Sequence, residues 1–486
     1  MEYWQSYKSI VSMILGIINL EEKRGLRNIA LVEETLSTHR GRERNMKWKK
    51  TNINIMETKL ARIAQISREK PKEIFTSIYH LLNEDMLMLC HKELDGKKAT
   101  GLDGVTKAEY EENLEENIRK LANNLQNMSY VPSPARRIYI PKANGKMRGL
   151  AIANYEDKIV QLGMKKIIEA IYEPKFLECM YGFRPKRGCH DALKAINRNI
   201  ENGKVSYVID ADIKGFFDHV DHKWLIKCVE QHIKDTRIIR MIKRFLKAGI
   251  IEKLQKVETT EGTLQGSILS PVLANIYMHY VLALWFKKKI KANLKGECYI
   301  TIYADDCAYC FQYKNEAEQF MNELLPNRLK KFGLELAKDK TKLISFGRFA
   351  KERSKTGKVE TFDFLGFTHY CGLSKMGKYR VKRKTSKKKF NAKVKEMKIW
   401  IKDHRYLKVT EMIKQINIKL IGHYQYYGIT DNAYSINLFE RCVNKLLWKW
   451  LNKRSERKSY TSEEFSEMIK RNPLIKPKIY VNIYDV

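Results

Sequence analysis

With 486 residues, 44% of them hydrophobic and 10% aromatic, the chain has apolar material for roughly two to four cored units, which excludes a disordered polypeptide. Its 92 Lys and Arg against 56 Asp and Glu leave a formal charge of +36, a self-repulsion that calls for a polyanionic partner. The 26 Tyr interleaved with these cations suit phosphate contact combined with base stacking, so a merely soluble lysine-rich protein is the weaker reading.

Residues 1–56 carry helical periodicity followed by a basic stretch, His39 to Lys50, and Met46 and Met56 stand as alternative starts. The best apolar run, Ile10 to Leu20, is broken by Ser12, Gly16 and Asn19 and is too short for a bilayer, so no membrane segment is expected. From 57 to 130 the pattern is mainly helical. Thr106 and Glu109 have capping-box spacing just after the Gly-rich loop Thr100 to Gly104. Between 131 and 350 β-prone runs alternate with helical ones, which predicts an α+β unit with a sheet core. After Gly366 the spacing predicts helix and the composition turns strongly basic. Nine of the sixteen positions from 380 to 395 are cations: Arg380, Lys382, Arg383, Lys384, Lys387, Lys388, Lys389, Lys393 and Lys395. The nine cysteines lack paired metal spacing; Cys307 and Cys310 have no second pair near them, so reduced thiols in a cytoplasmic protein are expected rather than zinc.

The chemistry concentrates in three segments. Tyr299 to Phe311 places Ala304-Asp305-Asp306 between two apolar runs, which predicts a hairpin with carboxylates at its turn. Asp is common in turns, so this segment alone decides nothing. A second apolar strand, Val205 to Asp212, also ends in acids. Asp212 and Asp305 on adjacent strands would converge to hold two divalent ions, Mg²⁺ being suited to carboxylate oxygens plus substrate phosphates. In the third segment, Gly262 to Tyr277, Ser270 and Pro271 predict a helix start, with Ser270 as N-cap, after a Gln265-Gly266 turn. Its backbone either packs on a nucleotide or forms an ordinary entry loop.

In this order the segments resemble the reverse transcriptases encoded by bacterial group II introns. The resemblance covers roughly residues 60 to 480. It includes Gly101-Leu-Asp-Gly104, Arg136 to Lys142 with Gly145 to Arg148, Glu156 to Gln161, Tyr181 to Pro185 and Cys189 to Leu193. It continues with Phe332 to Leu336, Lys340-Thr-Lys342, Phe362 to Phe367, His423 to Tyr427 and Trp450 to Tyr460. The resemblance implies a right-hand polymerase, with fingers and palm over 57–350, a helical thumb or maturase domain over 351–450 and a short basic tail over 451–486.

By the same resemblance Asp212, Asp305 and Asp306 are the metal-binding catalytic acids. Lys142 and Arg148 would bind the incoming deoxynucleoside triphosphate beside Gln265 and Gly266. Phe217 would exclude a 2′-hydroxyl, a core aromatic being the alternative. Lys340 would protonate the leaving pyrophosphate, a solvated lysine being the alternative. The cations from Arg380 to Lys393 would grip template-primer and structured intron RNA. Two departures fall near the nucleotide pocket: Arg148-Gly-Leu-Ala-Ile-Ala153 in place of the family's Arg-Pro-Leu-Gly-Ile-Pro, and Leu264-Gln-Gly-Ser267 in place of Pro-Gln-Gly-Gly. They predict a less preorganised backbone and slower polymerisation. No endonuclease module is expected. A domesticated host role, or an RNA-binding splicing factor without polymerase activity, stands as the alternative function.

Overall fold

The computed structural model describes residues 55–485 except 142–146, 253–254, 258–260, 356 and 455–458. Lys142, the Ile10 to Leu20 run and the basic stretch His39 to Lys50 lie outside the described residues.

The N-terminal part is helical, as its spacing requires. A helix over 55–69 precedes helices Glu84–Glu93, Lys107–Glu112 and Leu114–Gln126. Asn83 caps the second through the Met86 N–H, and Thr106 and Glu109 form the reciprocal capping box. Leu114–Gln126 buries Ile118, Leu121, Ala122 and Leu125, one stripe at helical spacing. Helix Tyr155–Tyr172 buries residues around most of its circumference and forms the spine of the largest core.

Three sheets follow. The first has strand order β2-β1-β4-β5, from β1 (Ala135–Pro141), β2 (Met147–Ile152), β4 (Ile250–Glu252) and β5 (Gln255–Val257). The second, with order β6-β7-β3-β8, combines β3 (Tyr207–Asp212), β6 (Cys298–Tyr303), β7 (Asp306–Phe311) and β8 (Lys342–Ser345). Its pairs are antiparallel throughout. Both faces of β7 are buried, which explains its unbroken apolar sequence. Cys307, Tyr309 and Phe311 enter the large core, whereas Ala308 and Cys310 enter a second core on the opposite face. Cys307 and Cys310 therefore point away from each other and cannot share a metal.

The third sheet, order β11-β10-β9, corrects the expectation of helix from Gly366 onward. Residues 362–385 are strands: β9 (Phe362–Phe364), β10 (Phe367–Leu373) and β11 (Tyr379–Thr385). The reason is a period of two hidden by the cations. Val381, Arg383 and Thr385 are buried, while Lys382 and Lys384 alternate toward solvent. This sheet and helix Cys189–Asn202 enclose the second core with Phe362, Phe364, Phe367 and Val381. Helical structure begins only at Lys387. Helices Lys387–Asp403, Val409–Tyr427 and Ala433–Leu451 surround a third core containing Ile401, Ile416, Leu420, Phe439 and Leu447. Helix Ser462–Arg471, capped by Thr461, closes it with Phe465 and Met468. Among the described residues no helix is long and apolar enough to cross a membrane.

Candidate active site

β3 and β7 run antiparallel with Asp212 directly opposite Asp306. Since Tyr303 pairs with Asp306, Ala304 and Asp305 form a two-residue turn, and Ala304 sits at φ +58°, a conformation unusual for a residue with a Cβ. The turn is braced from below. Tyr181 N–H donates to the Ile302 carbonyl, and Gly182 lies so close to the Ala304 backbone that a Cβ would not fit. Asn275 fixes Gly182 through its carbonyl at 2.9 Å.

The electrostatics follow from this crowding. Burial pushes the Asp305 carboxyl up and Asp212 adds to the rise, while Arg148 and Lys340 pull it back. Burial, then Asp305 and Asp212, lift Asp306 to about 6 against the pull of Lys389 and Lys340. Arg148 on β2 and Lys389 at the start of helix Lys387–Asp403 thus act on the acids through their charge. Lys340 approaches closest, with Nζ 2.5 Å from Asp212 Oδ2. It is carried there by the segment 335–340, whose Ala337 N–H donates to the Asp212 carbonyl at 2.8 Å. Hydrogen bonding to Asp212 raises the Lys340 pKa, so it stays an ammonium.

Asp210 received no role from the sequence. It lies two residues before Asp212 on the same strand face, and burial together with Asp306, Asp363 and Asp212 lifts it to about 7. The alternation of side chains along a strand was the available signal. Among the described residues no three His, Cys, Asp or Glu side chains converge as a closed metal cage. The donor set is instead open. Carboxylates that raise one another's pKa hold excess negative charge that a cation would relieve, and Mg²⁺ in particular uses few protein carboxylates and keeps water and substrate phosphates.

Beside the acids, the turn after β3 presents Phe217, half-buried and edge-on to Phe216 and Phe183 at 5.2 and 6.4 Å between ring centroids. Its carbonyl accepts from the Thr263 N–H at 2.7 Å, docking the 262–267 loop on this turn. The other side of the loop is fastened to β2, where Ala151 N–H donates to the Gln265 carbonyl at 2.7 Å. Gly266 adopts φ +108°, and a Cβ there would meet the Ala151 carbonyl oxygen at 2.5 Å, so only glycine fits.

The two departures face each other across this junction. Leu264 packs on Ala135, Ala151 and Ile250. Ser267 Oγ donates to Gln161 Oε1 at 3.0 Å, and the same oxygen accepts from Ile268 N–H at 2.9 Å. Hydrogen bonds accepted by buried Gln161 thus hold the loop beside the position where the family pattern has proline. Gln161 lies 106 residues from Ser267, too far for sequence to pair them. Ser270 is not an N-cap: the helix begins at Ser270 itself, and its hydroxyl donates to the Leu264 carbonyl.

The basic segment divides. Lys384, Lys387, Lys388 and Lys389 are exposed, and Lys382 and Lys393 are partly so, Lys393 being paired with Glu396 at 2.8 Å. Arg380 lies over the Tyr484 ring at 4.0 Å. Arg383 must be withdrawn from any nucleic-acid surface, because it is 0% exposed and bonded to Asn197 inside the second core.

Residues 140–369 match the reverse transcriptase (RNA-dependent DNA polymerase) family, and residues 387–467 match the group II intron maturase-specific domain. The group II intron-encoded protein LtrA of Lactococcus lactis subsp. cremoris is 40% identical over 244 residues, half of this chain and 40% of that protein. Protein YkfC of Escherichia coli is 36% identical over 187 residues, 38% of this chain and 49% of that protein. An uncharacterised 91 kDa protein in a cob intron of Schizosaccharomyces pombe is 34% identical over 303 residues, 60% of this chain and 34% of that protein. The chain thus spans less than half the length of each of these relatives. With both matches present in this order, the chain is similar to group II intron-encoded reverse transcriptases over 140–369 and to their maturase-specific domain over 387–467.

Proposed function

We propose that this protein copies RNA into DNA by two-metal phosphoryl transfer and assists the folding and splicing of a group II intron RNA. The observation that carries the reading is the register of β3 against β7, which sets Asp212 opposite Asp306 with Asp305 in the adjoining turn. Asp212, Asp305 and Asp306 would hold the divalent ions, most simply two Mg²⁺. When bound, such ions activate the primer 3′-hydroxyl and neutralise charge on the departing pyrophosphate.

The chain's own residues do the rest. Arg148, near enough to act on Asp305, meets the triphosphate oxygens with a delocalised charge. Phe217, fixed by Phe216, Phe183 and the Thr263 N–H, presents a ring edge where the sugar 2′ position would lie. Lys340 holds Asp212 as its counter-ion until substrate and metal enter, and is then placed to give a proton to pyrophosphate. Lys387 to Lys389 sit where the positive end of a helix adds to their charge, a placement a nucleic-acid backbone stabilises. The fingers and palm would extend through 385, with the thumb from 387.

The test is extension of a DNA primer on an RNA template with deoxynucleotides. Extension should require a divalent ion, stop with chelator and resume with added Mg²⁺. A chelator-insensitive product, or none with Mg²⁺ or Mn²⁺, would overturn the reading.

A further inference from the structure

A cavity of about 780 Å³ opens between helix Cys189–Asn202, the β10–β11 hairpin and residues 483–484. It lies away from the acids. Arg348, on its rim, follows Gly347, which packs against the Val205 carbonyl at the start of β3, whereas Asp212 ends that strand. At about 3.3 Å per residue the two ends of β3 are roughly 17 Å apart.

The lining has a single dominant charge. Lys194, Arg198, Arg348, Lys378 and Arg380 contribute five cations, and Glu201 the one carboxylate. Glu201 is already committed, accepting from the Val381 N–H at 2.7 Å. Among the described residues none of the five cations forms an ion pair. They come from separate segments around the rim instead of converging on one point, and Lys194 and Arg198 succeed each other by one helical turn. Small-molecule sites are mostly apolar with a few polar groups, the reverse of this lining. Tyr379 and Tyr484 complete the wall, and the Arg380 guanidinium lies 4.0 Å over the Tyr484 ring. Cations spaced around a groove with flat groups between them are what a single strand needs.

We propose that this cavity docks the backbone of single-stranded RNA outside the polymerase cleft. The identity of the strand rests on the RNA-directed reading above; the cavity and its charge do not.

The probe is a fluorescent oligouridylate of about 40 nucleotides, several site sizes long, bound to protein whose cleft is already saturated with a primer–template duplex carrying a short template overhang. The variant combines Lys194→Gln, Arg198→Gln and Lys378→Gln, and the control combines Lys287→Gln, Lys288→Gln and Lys289→Gln, exposed lysines outside the cavity lining. The cavity variant should bind the probe about 10-fold more weakly, with a log–log salt slope lower by roughly 2 units. The control should stay within about twofold of the unaltered protein, and extension of the duplex should be unchanged in both. If thermal unfolding shows the triple variant destabilised, Lys378→Gln alone carries the test with a slope change of ~0.7. An unchanged slope, or an equal loss in the control, overturns the proposal. Competition by ADP or inorganic phosphate at constant ionic strength would also overturn it, assigning the cavity to a small anion. A protein that fails to extend the duplex but keeps the cavity-dependent slope would sink the polymerase reading and leave this one standing.

Discussion

At the scale of single residues, an acid's neighbours matter more than its identity. Asp212, Asp305 and Asp306 stand out in the sequence because each ends or joins an apolar strand. Asp210, on the same face, is marked in the sequence only by its alternation with Asp212, and its neighbours lift it to about 7. Arg383 errs in the other direction. Surrounded by cations, it read as surface, yet its side chain fills the second core. Phe217 was legible as an aromatic after the first acid, but its contact with Phe183 and the Thr263 N–H depends on distant chain segments. Replacing it by Ala removes the ring edge while keeping the backbone bond that docks the loop. The expected outcome for Phe217→Ala is at least about 10-fold more ribonucleotide incorporation relative to deoxynucleotide, on the scale of ~1.4 kcal/mol of lost discrimination. Competitive incorporation on one primed template measures it, and an unchanged ratio would make Phe217 a packing residue.

Among elements, the strands of the β6-β7-β3-β8 sheet were readable because their apolar runs are bounded by turns, whereas β10 and β11 were not. The period of two of β11 carries Lys and Arg on both faces, and the same cations suit a helix equally well. The helix that follows does begin with Lys387, Lys388 and Lys389, without an acid in its first turn. That end of a helix disfavours cations by roughly 0.3–1 kcal/mol each, so the placement stabilises something other than the fold. Changing all three to Gln should leave thermal stability unchanged or slightly raised and flatten the salt slope of template-primer binding by up to roughly 2–3 units. An unaltered slope would remove this helix from the binding surface.

The neighbouring helix supplies a pH effect. His423 is buried against Phe439 at 3.9 Å between ring centroids, and burial, then Lys393, lower its pKa to about 4. Between pH 6.5 and about 4 the unfolded chain therefore binds a proton that the folded one refuses. Stability is level above that window and falls through it as the pH drops, by about 3 kcal/mol at the acid end. His423→Phe should lose less thermal stability between pH 7.5 and 5 than the unaltered protein. An identical loss would show that His423 titrates normally.

At the scale of the whole molecule, three large cores among the described residues divide the labour. The largest holds the N-terminal helices and one face of the β6-β7-β3-β8 sheet, the second fastens the β9–β11 sheet to its other face, and the third supports the C-terminal helices. The β3 and β7 strands, the 335–340 segment and the 262–267 loop are held by contacts more than 100 residues apart, such as Lys340 with Asp212 and Ser267 with Gln161. Hydrophobic patterning marks each element, but only packing selects which ends meet, which is why the bond between Ser267 and Gln161 is not legible in the sequence. The most direct measurement compares Asp305→Ala with the unaltered protein in one experiment that records both template-primer binding and primer extension. The account predicts binding within about threefold and extension reduced by at least roughly 100-fold, beyond what losing an outer-shell partner of a metal costs. Extension by Asp305→Ala at the rate of the unaltered protein, with binding intact, would contradict it.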